Sequence, residues 1–476
     1  MHPFLLFRGL LTFLLGLSST LLAHATHVRG GDISFAPVAS ATAGVPRYHV
    51  VVRLFVEPVT NGLITTTVPL VASRSCGATG TNTFTVTAPR TQLLDGTTLN
   101  CNSPSALYQV AIYEVDVDLP TGQWLLSVNA NARIISIQNI LNAPGQNCYL
   151  AAYLDNALAP QDTSPIVQSL RQPYFNVTAF GPHHLSAFDA DGDSLRYEIV
   201  PALGDCNQPL APSPSTFVPH FAVNAGTGLL TPTVTGAGTI GSSYTIVVKV
   251  SEYRRINGTW QLIGYVMRDT LYVSVPSPNQ NPAFTAAQVN GGAAQPLSQL
   301  IAVRPGQTVT VVLATTDPDA GQAMRFIIPA ASIVPGLSLA PTSSASSTQL
   351  TWQVPATLPA GRYPILVTVL DNGCPNASEE RTLMFVVGGS AVTATRAGAL
   401  ATAEVYPTPF REQVQFKATP HQAVVLFDAL GREVARLTSA ANGLVRWQPA
   451  ATLPAGLYLA RSATSGQPLA RLLRAD

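Results

Sequence analysis

Apolar and polar residues alternate with a period of two over several stretches of this chain, Tyr48–Val56 and Tyr244–Val250 among them, and Gly, Pro and Asn punctuate the intervals between. Period-two alternation puts successive side chains on opposite faces of a pleated strand, so each run predicts a half-buried strand. In the first third of the chain, strands are expected at 47–57, 64–71, 82–88, 107–118, 123–128 and 132–140. Hairpin-like turns such as Asn61-Gly62 and Asp95-Gly96 separate them. Long amphipathic helical patterns are nearly absent, and the fold class that follows is all-β.

The pattern also repeats at long range. Asp189–Ala202 reads DADGDSLRYEIVPA and Asp317–Ala330 reads DPDAGQAMRFIIPA. Downstream, Tyr244–Glu252 (YTIVVKVSE) matches Tyr363–Asp371 (YPILVTVLD), so one order of elements recurs about 120–130 residues apart. That is the self-similarity of tandem sandwich modules. The expected organisation is an N-terminal β-sandwich at 26–170 and two modules at 171–276 and 277–390. A linker follows at 391–402, then a distinct small β-sandwich at 403–476.

Composition narrows the function classes. Only 11% of residues are charged and the net charge is +1, which gives no electrostatic case for nucleic acid or an anionic membrane. His2 and Arg8 precede an apolar run from Leu10 to Leu22, and Ala23-His24-Ala25 offers a small-x-small cleavage site. Residues 1–25 therefore read as a signal peptide, with no transmembrane segment left after cleavage. In an exported protein the cysteines at 76, 101, 148, 206 and 374 form at most two internal bridges. Cys76 with Cys101 is the favoured pair and Cys148 with Cys206 the second, although spacing alone does not fix connectivity.

The tail has its own grammar: VYPTPF at 405–410, VVLFDALGREVARL at 424–437, LPAGLYLAR at 453–461 and a basic last strand. It resembles the type A C-terminal sorting domain of the type IX secretion system. The residues that carry the resemblance are Tyr406, Pro407, Pro409, Phe410, Asp428, Gly431, Arg432, Val434, Leu453, Gly456 and Tyr458. Thr408 stands where that family usually has Asn. The resemblance implies passage across the outer membrane by the type IX machinery, with the cargo left on the cell surface or released.

The body is similar to large surface proteins of gliding and related Gram-negative bacteria, over roughly residues 26–276. The segments concerned are THVRGGDISF at 26–35, DADGDSL at 189–195, Glu252–Arg255, and IGYVMRD at 263–269. A cysteine-bearing Y-R-D-C strand usual in that group is replaced here by RLFVEP at 53–58. No biochemical activity attaches to the group.

Asp189, Asp191 and Asp193 place three carboxylates at alternating positions, and calcium takes six to eight hard oxygen ligands. The glycine position and Val200 exclude an EF-hand, so ligands from a second loop are required. In a sandwich of immunoglobulin type, Glu252 would lie at the same pole, and the repeat offers Asp317, Asp319 and Asp371. The arrangement looks like the bacterial cadherin-like domain, whose equivalent acids are often linked to Ca2+; solvated Asp-Gly turns are the alternative. His183 and His184 lie just upstream, but neighbours on a strand face opposite ways and do not reach one ion together. No H-E-x-x-H, G-x-S-x-G or phosphate-cradling loop is present, so an enzyme is not expected. The reading that results is a surface or secreted modular structural or adhesion protein. The alternative is an extracellular glycan-binding protein using Trp260, Tyr265 or Trp352 as platforms, with a hydrolase a third choice. The partner, protein or glycan, is not named by the sequence.

Overall fold

The computed structural model describes residues 27–40, 42–57, 64–96, 108–171, 174–176, 183–213, 221–232, 242–275, 279–373, 376–388, 405–428, 433–450, 453–464 and 468–475. The segments read as a signal peptide (1–25) and a linker (391–402) lie outside them, as do Cys101, Cys374, Gly431 and Arg432. The described residues contain strands, turns and two short 3-10 turns, but no α-helix, and the protein is all-β as expected. None of its helical turns is long and apolar enough to cross a membrane. The chain divides into two compact units, 1–389 and 390–476.

In the first unit one sheet runs through ten strands. Its order is Val28–Val38, Arg47–Val56, Gln109–Asp118, Thr83–Asp95, Thr67–Ser73, Gln123–Ala130, Cys148–Asp155, Thr259–Val275, Ser243–Ile256 and Ser194–Val200. A pairing of Gly31 with Asp269 also joins the first strand to the long hairpin, closing most of this path into a ring. One core fills it, from Ile33 and Phe35 through Tyr113 and Trp124 to Val250 and Tyr272. The boundary expected at 170/171 is therefore not a boundary between cores. Strands from both sides of it pair edge to edge, Tyr153 with Tyr265, because each leaves an apolar face that only the other covers.

The strand expected at 132–140 is also absent. Ile134, Ile137 and Ile140 recur every third residue, not every second, and pack as a small cluster on Leu271 and Val273 while Ile135 is exposed. Its strand pairing is limited to isolated bridges at Arg133, Ile137 and Ile140, and side chains such as Asn139, bonded to the Thr245 backbone, attach the rest.

Residues 279–388 form a true second sandwich. Its two sheets include Thr308–Thr316 with Ser347–Gln353 on one side and Gly361–Leu370 with Ser378–Val387 on the other, around Trp352, Tyr363 and Phe385. It docks on the ring unit through buried polar contacts. Gln168 donates to the Pro364 carbonyl (2.7 Å) and accepts from the Leu366 amide (3.0 Å), and Ser186 meets Thr382 at 2.8 Å.

The second unit is a small sandwich of its own. Val414–Lys417 pairs with Leu444–Trp447, and a four-stranded sheet contains Glu433–Thr438, Ala423–Phe427, Gly456–Ser462 and Pro468–Arg474. Phe410, Phe416, Trp447, Tyr458 and Leu472 form its core.

The disulfide pairing differs from both expected pairs. Cys76 is bonded to Cys206, 130 residues away, with 5.6 Å between their Cα atoms. Cys206 lies at the turn of a small hairpin, Leu203–Asp205 with Gln208–Pro209, which covers Tyr149, Ala151, Val247 and Met267 on the outside of the ring. Cys148 is fully buried and unbridged, its Sγ 3.5 Å from Asp269 Oδ2. Pairing by nearness in sequence failed because the hairpin folds back across the sheet.

Candidate metal centre

Four of the acids singled out in the sequence do converge. Asp189, Asp191 and Asp193 lie between Ala187–Phe188 and Ser194–Val200, and Glu252 lies on Ser243–Ile256. Asp189 Oδ1 accepts the amides of Asp191 (2.9 Å) and Asp193 (3.1 Å), which curls the loop inward. The turn requires φ = +76° at Gly192, and a Cβ there would stand 2.7 Å from the Tyr363 hydroxyl of the second sandwich. A fifth acid, Asp162, joins from the segment after Cys148–Asp155. Sequence reasoning missed it because QDTSP reads as an ordinary polar turn and carries no motif.

Ligand oxygens of Asp189, Asp193 and Glu252 lie within 4.8 Å of one another, and so do those of Asp162, Asp191 and Asp193. Arg254 fills the second group. It donates to Asp162 Oδ1 (2.7 Å), Asp191 Oδ2 (3.2 Å) and both oxygens of Asp193 (2.5–3.1 Å). In the first group Arg254 reaches only Asp193, and Asp189 and Glu252 have no such partner among the described residues. Both oxygens of Glu252, Oδ2 of Asp189 and Oδ2 of Asp162 are buried without a donor, on residues 0%, 2% and 1% exposed respectively.

Buried carboxylates without donors are costly unless a proton or a cation sits among them. Burial pushes Asp189 up to about 6 against the opposing pull of the Glu252 carboxyl beside it, and burial with the neighbouring acids pushes Glu252 well above the usual range. Burial also takes Asp162 up to about 8, against the pull of Arg254. The donor set is all hard oxygen, the preference of calcium. Gly264 shapes the space: a Cβ there would lie 3.0 Å from Glu252 Oε2 and 3.6 Å from Asp162 Oδ2. These residues fit a divalent cation.

The repeat does not reproduce the site. Asp371 receives the Asn279 side-chain amide at 3.0 and 2.9 Å and the amides of Gly373 and Ala377, both at 2.9 Å. Asp319 is taken by the backbone and side chain of Gln280, and Asp317 Oδ1 accepts the Asp319 amide. Asn279 and Gln280 supply neutral donors to Asp371 and Asp319, which leaves Asp317 Oδ2 as the one oxygen of the three acids buried without a donor among the described residues. Asp317, Asp319 and Asp371 thus form no metal cluster among the described residues.

Three segments singled out in the sequence resolve into a second buried charge cluster. Asp32 accepts from Arg53 Nε and Nη2 (2.6 and 2.7 Å) and from Arg268 Nη1 (2.6 Å), and these arginines hold its carboxyl below the ordinary range despite burial. Arg133 pairs with Asp269 at 2.6 Å, and Arg29 with Glu57 at 3.1 Å. RGGD, RLFVE and MRD, far apart in sequence, are the parts of one ionic seam.

His183 and His184 belong to an ion-paired contact with the second sandwich and to no metal-ligating group among the described residues. On a two-residue strand, both are buried against the second sandwich: His183 Nδ1 is 2.6 Å from Glu380, whose Oε2 also accepts the His184 amide (2.9 Å). Arg171, Thr382, Tyr272 and Arg381 complete the surroundings. Burial works against ionisation of Glu380, but His183, Arg171 and the His184 amide outweigh it and hold the carboxyl at about 2. Burial lowers His184 to about 4. A depressed carboxyl stabilises fully above its unfolded pKa and loses that contribution as pH falls from about 4.5 through 2. Glu380→Gln should therefore cost roughly 3 kcal/mol at pH 7, and more than half of the gap to wild type should vanish at pH 3. Urea denaturation of both proteins at the two pH values measures it; an unchanged gap would show that Glu380 is not the ionised partner.

Of the aromatic platforms, Trp352 is wholly buried, Tyr265 stacks on Tyr153 at 5.5 Å, and Trp260 is 60% exposed near the tip of the long hairpin. In the tail, Phe410 and Tyr458 are core residues, whereas Tyr406, Pro407 and Pro409 are exposed. Gly456 begins the strand Gly456–Ser462 with φ = +148°.

The tail's L-x-x-G-x-Y block has a twin that sequence reading missed. WQVPATLPAGRY at 352–363 and WQPAATLPAGLY at 447–458 share nine of twelve residues. Each tyrosine hydroxyl bonds back to the proline carbonyl four residues earlier, Tyr363 to Pro359 (2.8 Å) and Tyr458 to Pro454 (2.5 Å). Each leucine amide closes the same turn, Leu358 on Pro355 and Leu453 on Ala450. The block is a tyrosine corner that both sandwiches use.

No protein-family model and no curated protein matches this chain. Solved structures do. A nucleoside hydrolase-related hypothetical protein from Saccharophagus degradans is 24% identical over 23% of this chain and 26% of its own, with a TM-score of 0.17. The chain thus spans about a quarter of that protein's length. Drosophila N-cadherin EC1-4 is 13% identical over 64% of this chain and 74% of its own (TM-score 0.23). Mouse cadherin-23 EC22-24 is 14% identical over 64% and 90% (TM-score 0.17). The fold assignment rests on the strand pairing described above.

Proposed function

We propose that this protein is a non-enzymatic structural or adhesion protein of a bacterial cell surface. In this reading it is exported by way of the signal peptide and the type IX route, and a divalent cation, calcium by donor type, stabilises its body. The observation that carries the export reading is the tail, a separate compact unit with its own core, in which Phe410 and Tyr458 of the sorting pattern anchor the fold. The exposed Tyr406-Pro407-Thr408-Pro409 stretch is then the part available to the secretion machinery. Ionic seams and an acid pocket that join chain segments fit a body built for cohesion. Trp260 remains the one exposed tryptophan among the described residues for a glycan-binding alternative.

Cell fractionation tests the export reading. The full chain should reach the surface or medium, and a chain lacking 403–476 should accumulate in the periplasm. Surface display of the truncated chain would overturn it.

A further inference from the structure

Arg254 divides the acid pocket into two halves of different character. Its single charge is engaged by Asp162 Oδ1, Asp191 and Asp193. The oxygens turned away from it, on Asp162, Asp189 and Glu252, are the ones without donors. Asp189 and Glu252 have no cationic partner among the described residues, and their two charges match one divalent ion. The spacing agrees. Ligands on opposite sides of a calcium ion stand roughly 4.6–5.2 Å apart at its usual bond lengths, and the oxygens of Asp189, Asp193 and Glu252 lie within 4.8 Å of one another.

We propose that Arg254 permanently occupies the outer half of the pocket, so that the protein binds a single divalent cation, in the inner half bounded by Asp162, Asp189, Asp193 and Glu252. This rests on the metal-site reading above and adds the number of ions and the half they enter. A guanidinium forks to several carboxylates at once from a fixed stem, which no exchangeable ion does. The outer half therefore stays filled at any calcium concentration, and only the inner half responds to the medium. Glu252 and Arg254, two apart on one strand, are ligand and resident counter-ion.

Isothermal titration of calcium into the chelator-treated mature chain decides it. Wild type should bind one ion, Arg254→Gln two, and Glu252→Gln should bind at least tenfold more weakly than wild type. Two ions in wild type would overturn the role of Arg254 while leaving the metal site standing, as would one ion in R254Q. No binding by wild type would overturn the metal site and the proposal together. If R254Q does not fold, the wild-type count decides between one ion and two.

Discussion

Replacing Asp32 with asparagine should destabilise the ring unit by roughly 3–5 kcal/mol, the cost of stranding buried charge. Arg53 and Arg268 are 5% and 1% exposed and share this carboxylate. An amide of the same shape turns a donor toward two guanidinium groups and removes the charge that offsets their burial. Wholesale replacement should be milder: Asp32→Leu with Arg53→Met and Arg268→Met removes every stranded charge at similar volume. Rescue should be incomplete. Arg53 also donates to the Val167 carbonyl (3.2 Å) and Arg268 to that of Ser169 (3.0 Å), and Arg268 lies 4.1 Å over the Phe55 ring. Two orphaned carbonyls should retain a deficit of about 1–3 kcal/mol each. Urea midpoints for the three proteins give the comparison. If Asp32→Asn is as stable as wild type, the seam is not ionised as described.

The second large effect concerns the disulfide. Cys76→Ala with Cys206→Ala should cost about 2–5 kcal/mol, because the bridge closes a long loop of the unfolded chain. The loss should be felt first in the small hairpin, which has two short strands and depends on Tyr149, Ala151, Val247 and Met267 beneath it. Limited proteolysis of the double variant should cut within 203–210 before the ring strands. Peptide mapping of the unreduced wild type should recover Cys76 joined to Cys206. Cys148 should resist alkylation until the unit unfolds, since burial and the adjacent Asp269 push its thiol far up. A bridge from Cys148 to Cys76 or Cys206 would refute the pairing.

The strands were legible because alternation records one buried face. Of the six expected early in the chain, four formed within a few residues of their place, the one at 82–88 runs on to Asp95, and the one at 132–140 did not form. What alternation does not record is which strand lies beside which. Tyr153 and Tyr265 pair across 112 residues, and no local signal marks that edge, so a shared sheet read as two modules. The acid site was half legible. Asp189, Asp191, Asp193 and Glu252 announce themselves by spacing, whereas Asp162 arrives through tertiary packing and Arg254 reads as an ordinary strand arginine. Asp371 shows the converse: the same acid at the same place in the repeat has its oxygens satisfied by Asn279, a residue whose importance appears only once it is folded against its partner.

The paired corners, Trp352–Tyr363 and Trp447–Tyr458, bear on how such a gene changes. Two stretches of one chain that share nine of twelve residues and the same turn are a natural place to exchange segments. A joint made there would fuse the front of one sandwich to the back of the other through a turn both already contain. The hybrid sandwich would keep a corner whose tyrosine and proline still bond as they do in both parents.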